Sequence, residues 1–250
     1  MGERKANSVE PLTTGNLAKL YCLNWMEQYI RKNGGKATIL DLGCGEALNF
    51  ARLLSTCPRI RYVGIEPSEE SCRKARHNLQ GLPTTIIHAN AYTAYEQLKE
   101  KFDLVVSFST FEHVYRRLSY LEAAKHCLKE DGYFLINYDA GHFLQGKEWL
   151  KNMVGPLLAN LGIERYFQAF IREEEFLALV KKAGFEVMEA KSFNTRLKEV
   201  YKIIPASKQP AFMEKWLEFE VWLNSLGIGY NDGMAPVFGT RNFILKHKSR

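Results

Sequence analysis

Apolar residues along this chain recur in two rhythms. Short apolar or alternating runs of strand length fall at Thr38 to Leu42, Arg61 to Glu66, Thr84 to Ala89, Phe102 to Phe108, Tyr133 to Tyr138, Phe185 to Phe193 and Thr240 to His247. Between them the spacing turns helical. Asn16 to Lys32 carries Leu17, Leu20, Tyr21, Leu23, Trp25, Met26, Tyr29 and Ile30 and is stopped by Asn33-Gly34-Gly35. Further helices are predicted at about Glu46 to Thr56, Ser68 to Gln80, Leu118 to Leu128, Glu173 to Lys182 and Ala211 to Leu226, with Glu69 and Glu70 in the first turn of their helix as its dipole prefers. Lys129-Glu130-Asp131-Gly132 reads as a helix stop.

Strands that alternate with helices must be parallel neighbours joined by crossovers, so the pattern predicts an α/β, doubly wound parallel sheet in a single domain over residues 1–250. Residues 1 to 15 hold breakers (Gly2, Asn7, Ser8, Pro11, Gly15) and read as loosely packed. Two stretches exceed what such a sheet needs, 139–171 and 194–236. Both are rich in aromatic and aliphatic residues, and a structureless loop of that length is uncommon inside a compact domain, so helical lids are expected there.

Candidate chemistry gathers at the strand ends. Thr38-Ile39-Leu40-Asp41-Leu42-Gly43-Cys44-Gly45 is an apolar run ending in an acid, then two glycines one residue apart opening a helical segment. A pyrophosphate-binding fingerprint would need a third glycine where Leu48 stands, and Asp41 would repel a phosphate while attracting an ammonium or sulfonium. An ordinary Gly-rich turn is the other reading. The second strand ends in Glu66-Pro67, about twenty residues after the loop, the spacing at which a carboxylate reaches ribose hydroxyls. The third ends at Asn90-Ala91-Tyr92, which suits either a ligand contact or an Asx turn. The fourth, Phe102-Asp103-Leu104-Val105-Val106-Ser107-Phe108, runs into Ser109-Thr110-Phe111-Glu112-His113-Val114.

These ordered motifs resemble those of the class I S-adenosylmethionine (SAM)-dependent methyltransferases of small molecules, over about Thr38 to Gly184 plus the last strands. The resemblance implies a Rossmann-like, seven-stranded sheet, mostly parallel with an antiparallel last strand, and helical lid insertions. It implies SAM as cofactor, held by Asp41, Gly43, Cys44, Gly45, Glu66, Pro67, Asn90, Ala91, Tyr92, Ser107 and Phe108. His113 is then the candidate general base, with a purely structural histidine as the alternative, and no metal is expected. The helix before the first strand either packs or caps the cleft, contributing Tyr21 or Trp25; with Tyr138, His142, Tyr166 and Phe170 these are the candidate acceptor contacts.

Composition narrows the acceptor. The net charge of +6 comes from basic residues interleaved with acids, as in Arg172-Glu173-Glu174-Glu175 before Lys181-Lys182, which suits solvated helix faces better than nucleic acid. The Asn/Asp-Pro-Pro-aromatic sequence of the amino-adenine methyltransferases is replaced here by Ser107-Phe108-Ser109-Thr110, and no Pro-Cys pair occupies that place. A small, partly apolar acceptor, methylated at oxygen or nitrogen, is therefore expected. RNA or protein methylation, or SAM binding without turnover, are the alternatives. Five cysteines, odd in number and never spaced as C-x-x-C, argue for reduced thiols in a cytoplasmic protein. No signal-peptide core or membrane span is read, and a monomer or homodimer is expected.

Overall fold

A computed structural model describes residues 17–139, 148–164, 167–194, 197–227 and 237–248. In chain order the elements are α1 (Leu17–Lys32), β1 (Ala37–Leu42), α2 (Ala51–Thr56), β2 (Ile60–Glu66), α3 (Glu69–Asn78), β3 (Thr84–His88), α4 (Ala94–Gln97), β4 (Phe102–Phe108), α5 (Arg117–Cys127) and β5 (Leu128–Asp139). Then come α6 (Glu148–Asn160), α7 (Glu173–Lys182), β6 (Phe185–Phe193), α8 (Lys198–Ile203), α9 (Gln209–Ser225) and β7 (Thr240–His247). The strands form one seven-stranded sheet in the order β3-β2-β1-β4-β5-β7-β6. β7 runs antiparallel to both of its neighbours, β5 and β6, and the remaining pairings are parallel.

The alternation of side chains along the strands divides the core. Ile39, Tyr62, Leu104 and Val106 face the layer of α1, α2 and α3, meeting Met26, Ile30, Leu53 and Cys72. Leu40, Leu42, Val63 and Val105 face the opposite layer, where Tyr120 and Leu121 of α5 and Phe176 and Val180 of α7 cover them. A strand buried on both faces reads as a continuous apolar run, which is the pattern of Thr38 to Leu42. Within the expected lid stretches, α6 lies in the first and α8 and α9 in the second. A third cluster, Leu17, Ala18, Phe193, Tyr201, Met213 and Trp216, joins α1 to α8, α9 and β6. Asn224 fixes α9 to the sheet by accepting from the Ser192 amide at 2.8 Å and donating to the Ser192 carbonyl at 2.9 Å.

Two elements depart from the expected boundaries. β5 begins at Leu128, so Lys129-Glu130-Asp131-Gly132 belongs to a strand and does not stop a helix. Gly132 serves close approach: a Cβ there would meet Leu128 Cδ1 at 2.8 Å and the Asp103 carbonyl at 2.9 Å. The helix after the Gly loop starts late, because Ala47 takes a left-handed φ of 56° and Leu48–Phe50 forms a 3-10 turn before α2.

Candidate active site

The chain winds outward in both directions from β1 and β4, and the carboxyl ends of these adjacent strands open a crevice at the point of reversal. A cleft of about 630 Å³ occupies it, within the range of small-molecule sites. It is lined by Lys19 of α1, Asp41, the loop Gly43 to Asn49, Glu66 and Pro67 after β2, and Phe108, Ser109, Thr110 and His113 after β4.

The loop is shaped by its glycines and by the strands beside it. Gly43, with φ +81°, and Cys44 both donate to the Ile65 carbonyl, at 2.9 and 3.0 Å. The Thr110 side chain fills the space a Cβ on Gly43 would need. Gly45, φ +55°, has open space where its Cβ would stand. The Glu66 carboxylate joins the two loop starts, accepting from the Gly45 amide at 3.0 Å and from the Ser68 amide at 2.9 Å. Each of its oxygens keeps a second acceptor position.

Asp41 is 3% exposed, and its Oδ2 accepts from the Tyr62 hydroxyl at 2.8 Å. Its Oδ1 is buried with no hydrogen-bond partner among the described residues, an arrangement that costs free energy until a donor arrives. Burial pushes the carboxyl up to about 7, against the pull of the Tyr62 hydroxyl and the Lys19 cation, while the Glu66 charge adds to the rise. Lys19 also faces Glu112, whose carboxyl burial likewise pushes up to about 7, with the Asp139 charge adding to it. The two acids lie 71 residues apart in sequence yet answer to one amine.

A carboxyl raised in the fold keeps its proton where the unfolded chain has lost it, so stability falls as pH climbs from about 4 to about 7 and stays low above that. Glu112→Gln should therefore flatten this decline and raise Tm at pH 8 by about 2–4 °C per kcal/mol recovered, read by thermal melts from pH 5 to 8.

His113 ends a single 3-10 turn, Phe111–His113, placed by its amide donating to the Thr110 carbonyl at 2.9 Å. Its Nδ1 lies 3.3 Å from the Phe167 carbonyl. A carbonyl only accepts, so that contact puts the ring proton on Nδ1 and leaves the lone pair on Nε2.

Of the residues expected to hold a cofactor, Asp41, Gly43, Cys44, Gly45, Glu66, Pro67 and Phe108 line this one cleft. Four others stand apart from it. The Asn90 carboxamide closes an Asx turn on the Tyr92 amide at 2.9 Å, and Ala91 packs on the core. The Tyr92 hydroxyl donates to Glu164 at 2.7 Å, and Ser107 is buried against the Tyr120 hydroxyl at 2.7 Å. Among the expected acceptor contacts, Tyr138 has no exposed surface and packs with Phe111, Phe176 and Phe243, and Phe170 leans on the same core. Tyr21 and Trp25 line a different pocket, between α1 and α9. His142 and Tyr166 lie outside the described residues. Sequence reasoning missed Lys19, Glu112 and Thr110. The Glu-His step after β4 is the one signal that pointed at Glu112, whereas Lys19 sits in an ordinary amphipathic helix.

Among the described residues no helix is long and apolar enough to cross a membrane. A methyltransferase domain family matches residues 17–190. A ubiquinone biosynthesis O-methyltransferase of Ruegeria sp. (strain TM1040) is 28% identical over 163 residues, 62% of this chain and 62% of that protein. A 4-amino-L-phenylalanine/4-methylamino-L-phenylalanine methyltransferase of Streptomyces pristinaespiralis is 28% identical over 117 residues, 47% of this chain and 38% of that one. The chain thus spans between about a third and two thirds of these relatives' lengths. In fold it is similar to the plantazolicin methyltransferase BamL, solved with a triazolic desmethylPZN analog and SAH (TM-score 0.58, 16% identity, 93% of this chain and 85% of that one).

Proposed function

This chain belongs to the methyltransferase domain family, and from that premise we propose that it transfers a methyl group from SAM to an oxygen or nitrogen of a small-molecule acceptor. The observation that carries the reading is the buried Oδ1 of Asp41, without a hydrogen-bond partner among the described residues, at the sheet's reversal point beside a loop whose Gly45 leaves its Cβ space open. A donor or cation of an amino-acid moiety satisfies such an oxygen, and a phosphate would not. The names of the relatives, one an O-methyltransferase and one a methyltransferase of an amino-phenylalanine, support a small acceptor.

The residues present fit SAM. Asp41 would take its ammonium, the loop Gly43 to Asn49 would lie along it, Glu66 would accept from ribose hydroxyls with its remaining lone pairs, and Phe108 and Pro67 would give apolar contact. When bound, SAM supplies a methyl carbon already activated by its sulfonium. The protein's contribution is position and proton removal. Holding the acceptor at near-attack distance lowers the barrier by roughly 7–11 kcal/mol. His113 Nε2 would accept the proton of the attacking hydroxyl or amine, with the Phe167 carbonyl holding the ring in that tautomer.

Calorimetry with SAM, and with NAD as the rival, tests the cofactor: SAM should bind and NAD should not. Methyl transfer from labelled SAM into a pool of small metabolites tests the activity, and transfer into RNA or protein alone would overturn the acceptor class. His113→Ala should lower turnover about 10²- to 10⁴-fold and leave SAM affinity unchanged; undiminished turnover would remove the base role.

A further inference from the structure

The pocket that holds Tyr21 and Trp25 is a second cavity, of about 570 Å³, walled by α1, α2, α8 and α9. None of its lining residues lines the cofactor cleft. The two cavities are nonetheless neighbours. Lys19 faces the cleft and the next residue, Leu20, faces the pocket. A crevice of about 50 Å³ shares Asn49 with the cleft and Asn24 and Arg52 with the pocket.

The body of the pocket is apolar, made by Leu20, Trp25, Met213, Leu217 and Val221. Its walls are held in place. Trp25 stacks on Tyr29 with ring centres 5.7 Å apart and meets the edge of Tyr133 at 5.1 Å. On α9 the buried Glu220 accepts from Trp216 Nε1 at 2.6 Å and from the Asn194 amide at 2.7 Å. A preformed apolar cavity with a few polar groups is the usual form of a small-molecule site.

Charge selects the occupant. Arg52, on the α2 wall, is the single cation in the lining, and its guanidinium has no hydrogen-bond or ion-pair partner among the described residues. The lining carboxylates, Glu214 and Glu218, both sit on α9, where Lys215 engages Glu218 at 2.8 Å. Arg52 is exposed on the α2 side, away from the two α9 carboxylates and next to the crevice that shares Asn49 with the cleft, so an acidic group is placed there.

We propose that this pocket seats the body of the acceptor, and that the acceptor is an apolar organic molecule carrying one anionic group at Arg52. The inference rests on the methyl-transfer reading above and adds the substrate class. The probe is 1-anilinonaphthalene-8-sulfonate, an aromatic body with one sulfonate, titrated by fluorescence into the full chain with and without saturating SAM. The dye should bind in both conditions. Leu217→Trp, which fills the cavity, should weaken it at least about tenfold, and Arg52→Gln about fivefold. Trp222→Ala, at an exposed α9 position outside the pocket, should change nothing. SAM affinity in the Leu217 and Arg52 variants should stay within about twofold of wild type. Displacement of the dye by SAM, indifference to both pocket substitutions, or loss with Trp222→Ala would overturn the pocket while the SAM titration still upholds the methyl-transfer reading. Failure of the unaltered chain to bind SAM would overturn that reading and the acceptor role together.

Discussion

Asp41→Ala should abolish SAM binding in calorimetry without unfolding the protein. The carboxylate is 3% exposed, one oxygen is held by Tyr62 and the other has no partner among the described residues, so the unliganded fold carries the cost of a buried acid. Removing the acid relieves that cost and, in the proposed SAM site, deletes the counter-ion of the cofactor's ammonium at once. Loss of binding should therefore come with an unchanged or higher Tm at pH 8, a combination that damaged packing would not produce. The pH dependence follows from the same group. Asp41 is pushed up to about 7, so a fraction of the empty protein holds it protonated at neutral pH, and a protonated acid attracts no ammonium. SAM affinity should rise with pH toward about 7 and level off above it, weakening by up to about tenfold for each unit below. In Asp41→Asn, which keeps an acceptor for the Tyr62 hydroxyl, that slope should vanish. A slope that survives in Asp41→Asn would move the titration to another group near the cleft.

Gly43→Ala is the other large effect. A Cβ there would stand 2.5 Å from Thr110 Cγ2 and 2.7 Å from its Oγ1, at a φ of +81° that side chains rarely adopt. The expected cost is about 1–3 kcal/mol from backbone strain, before the clash is counted. Tm should fall by about 2–4 °C for each kcal/mol, and SAM affinity by more than about tenfold, because the loop can relax only by leaving β2. Adding Thr110→Ala removes the clashing atoms and should restore part of the stability. Gly45→Ala meets nothing within 4 Å, so it should fold with a smaller loss while still obstructing the cleft. Equal losses of stability at both glycines would show that conformation alone governs the loop.

Much of this architecture was legible because period and burial coincide. Thr38 to Leu42 reads as a strand covered on both faces, and α7, β6 and β7 fall at the residues their spacing marks. The antiparallel β7 and the cluster of Asp41, Gly43, Gly45, Glu66 and His113 around one cleft follow the motif order. What failed to show in sequence was anything decided by contact at long range. Gly132 looks like a helix stop, yet what demands glycine there is the Asp103 carbonyl on the adjacent strand. Asn90 is the local exception: of the two readings its sequence allowed, the Asx turn forms, its carboxamide oxygen accepting from the Tyr92 amide two residues on. Tyr138 stands at the end of a strand near the cleft, and the side of the sheet it faces is filled by Phe176 and Phe243. Lys19 carries no motif, and only the fold of α1 over the sheet brings it to Asp41 and Glu112.

The Glu66 carboxylate, fastened at once to the Gly45 and Ser68 amides, stitches two separate crossovers into one rim. On the other side of the sheet, the Tyr120 hydroxyl anchors the Leu42 carbonyl at 2.8 Å. A nucleoside bound as proposed would therefore meet a rim already tied together by these bonds. Stopped-flow mixing with SAM should then give one concentration-dependent phase with no slow step after it, and the enzyme should tolerate rapid exchange of spent for fresh cofactor.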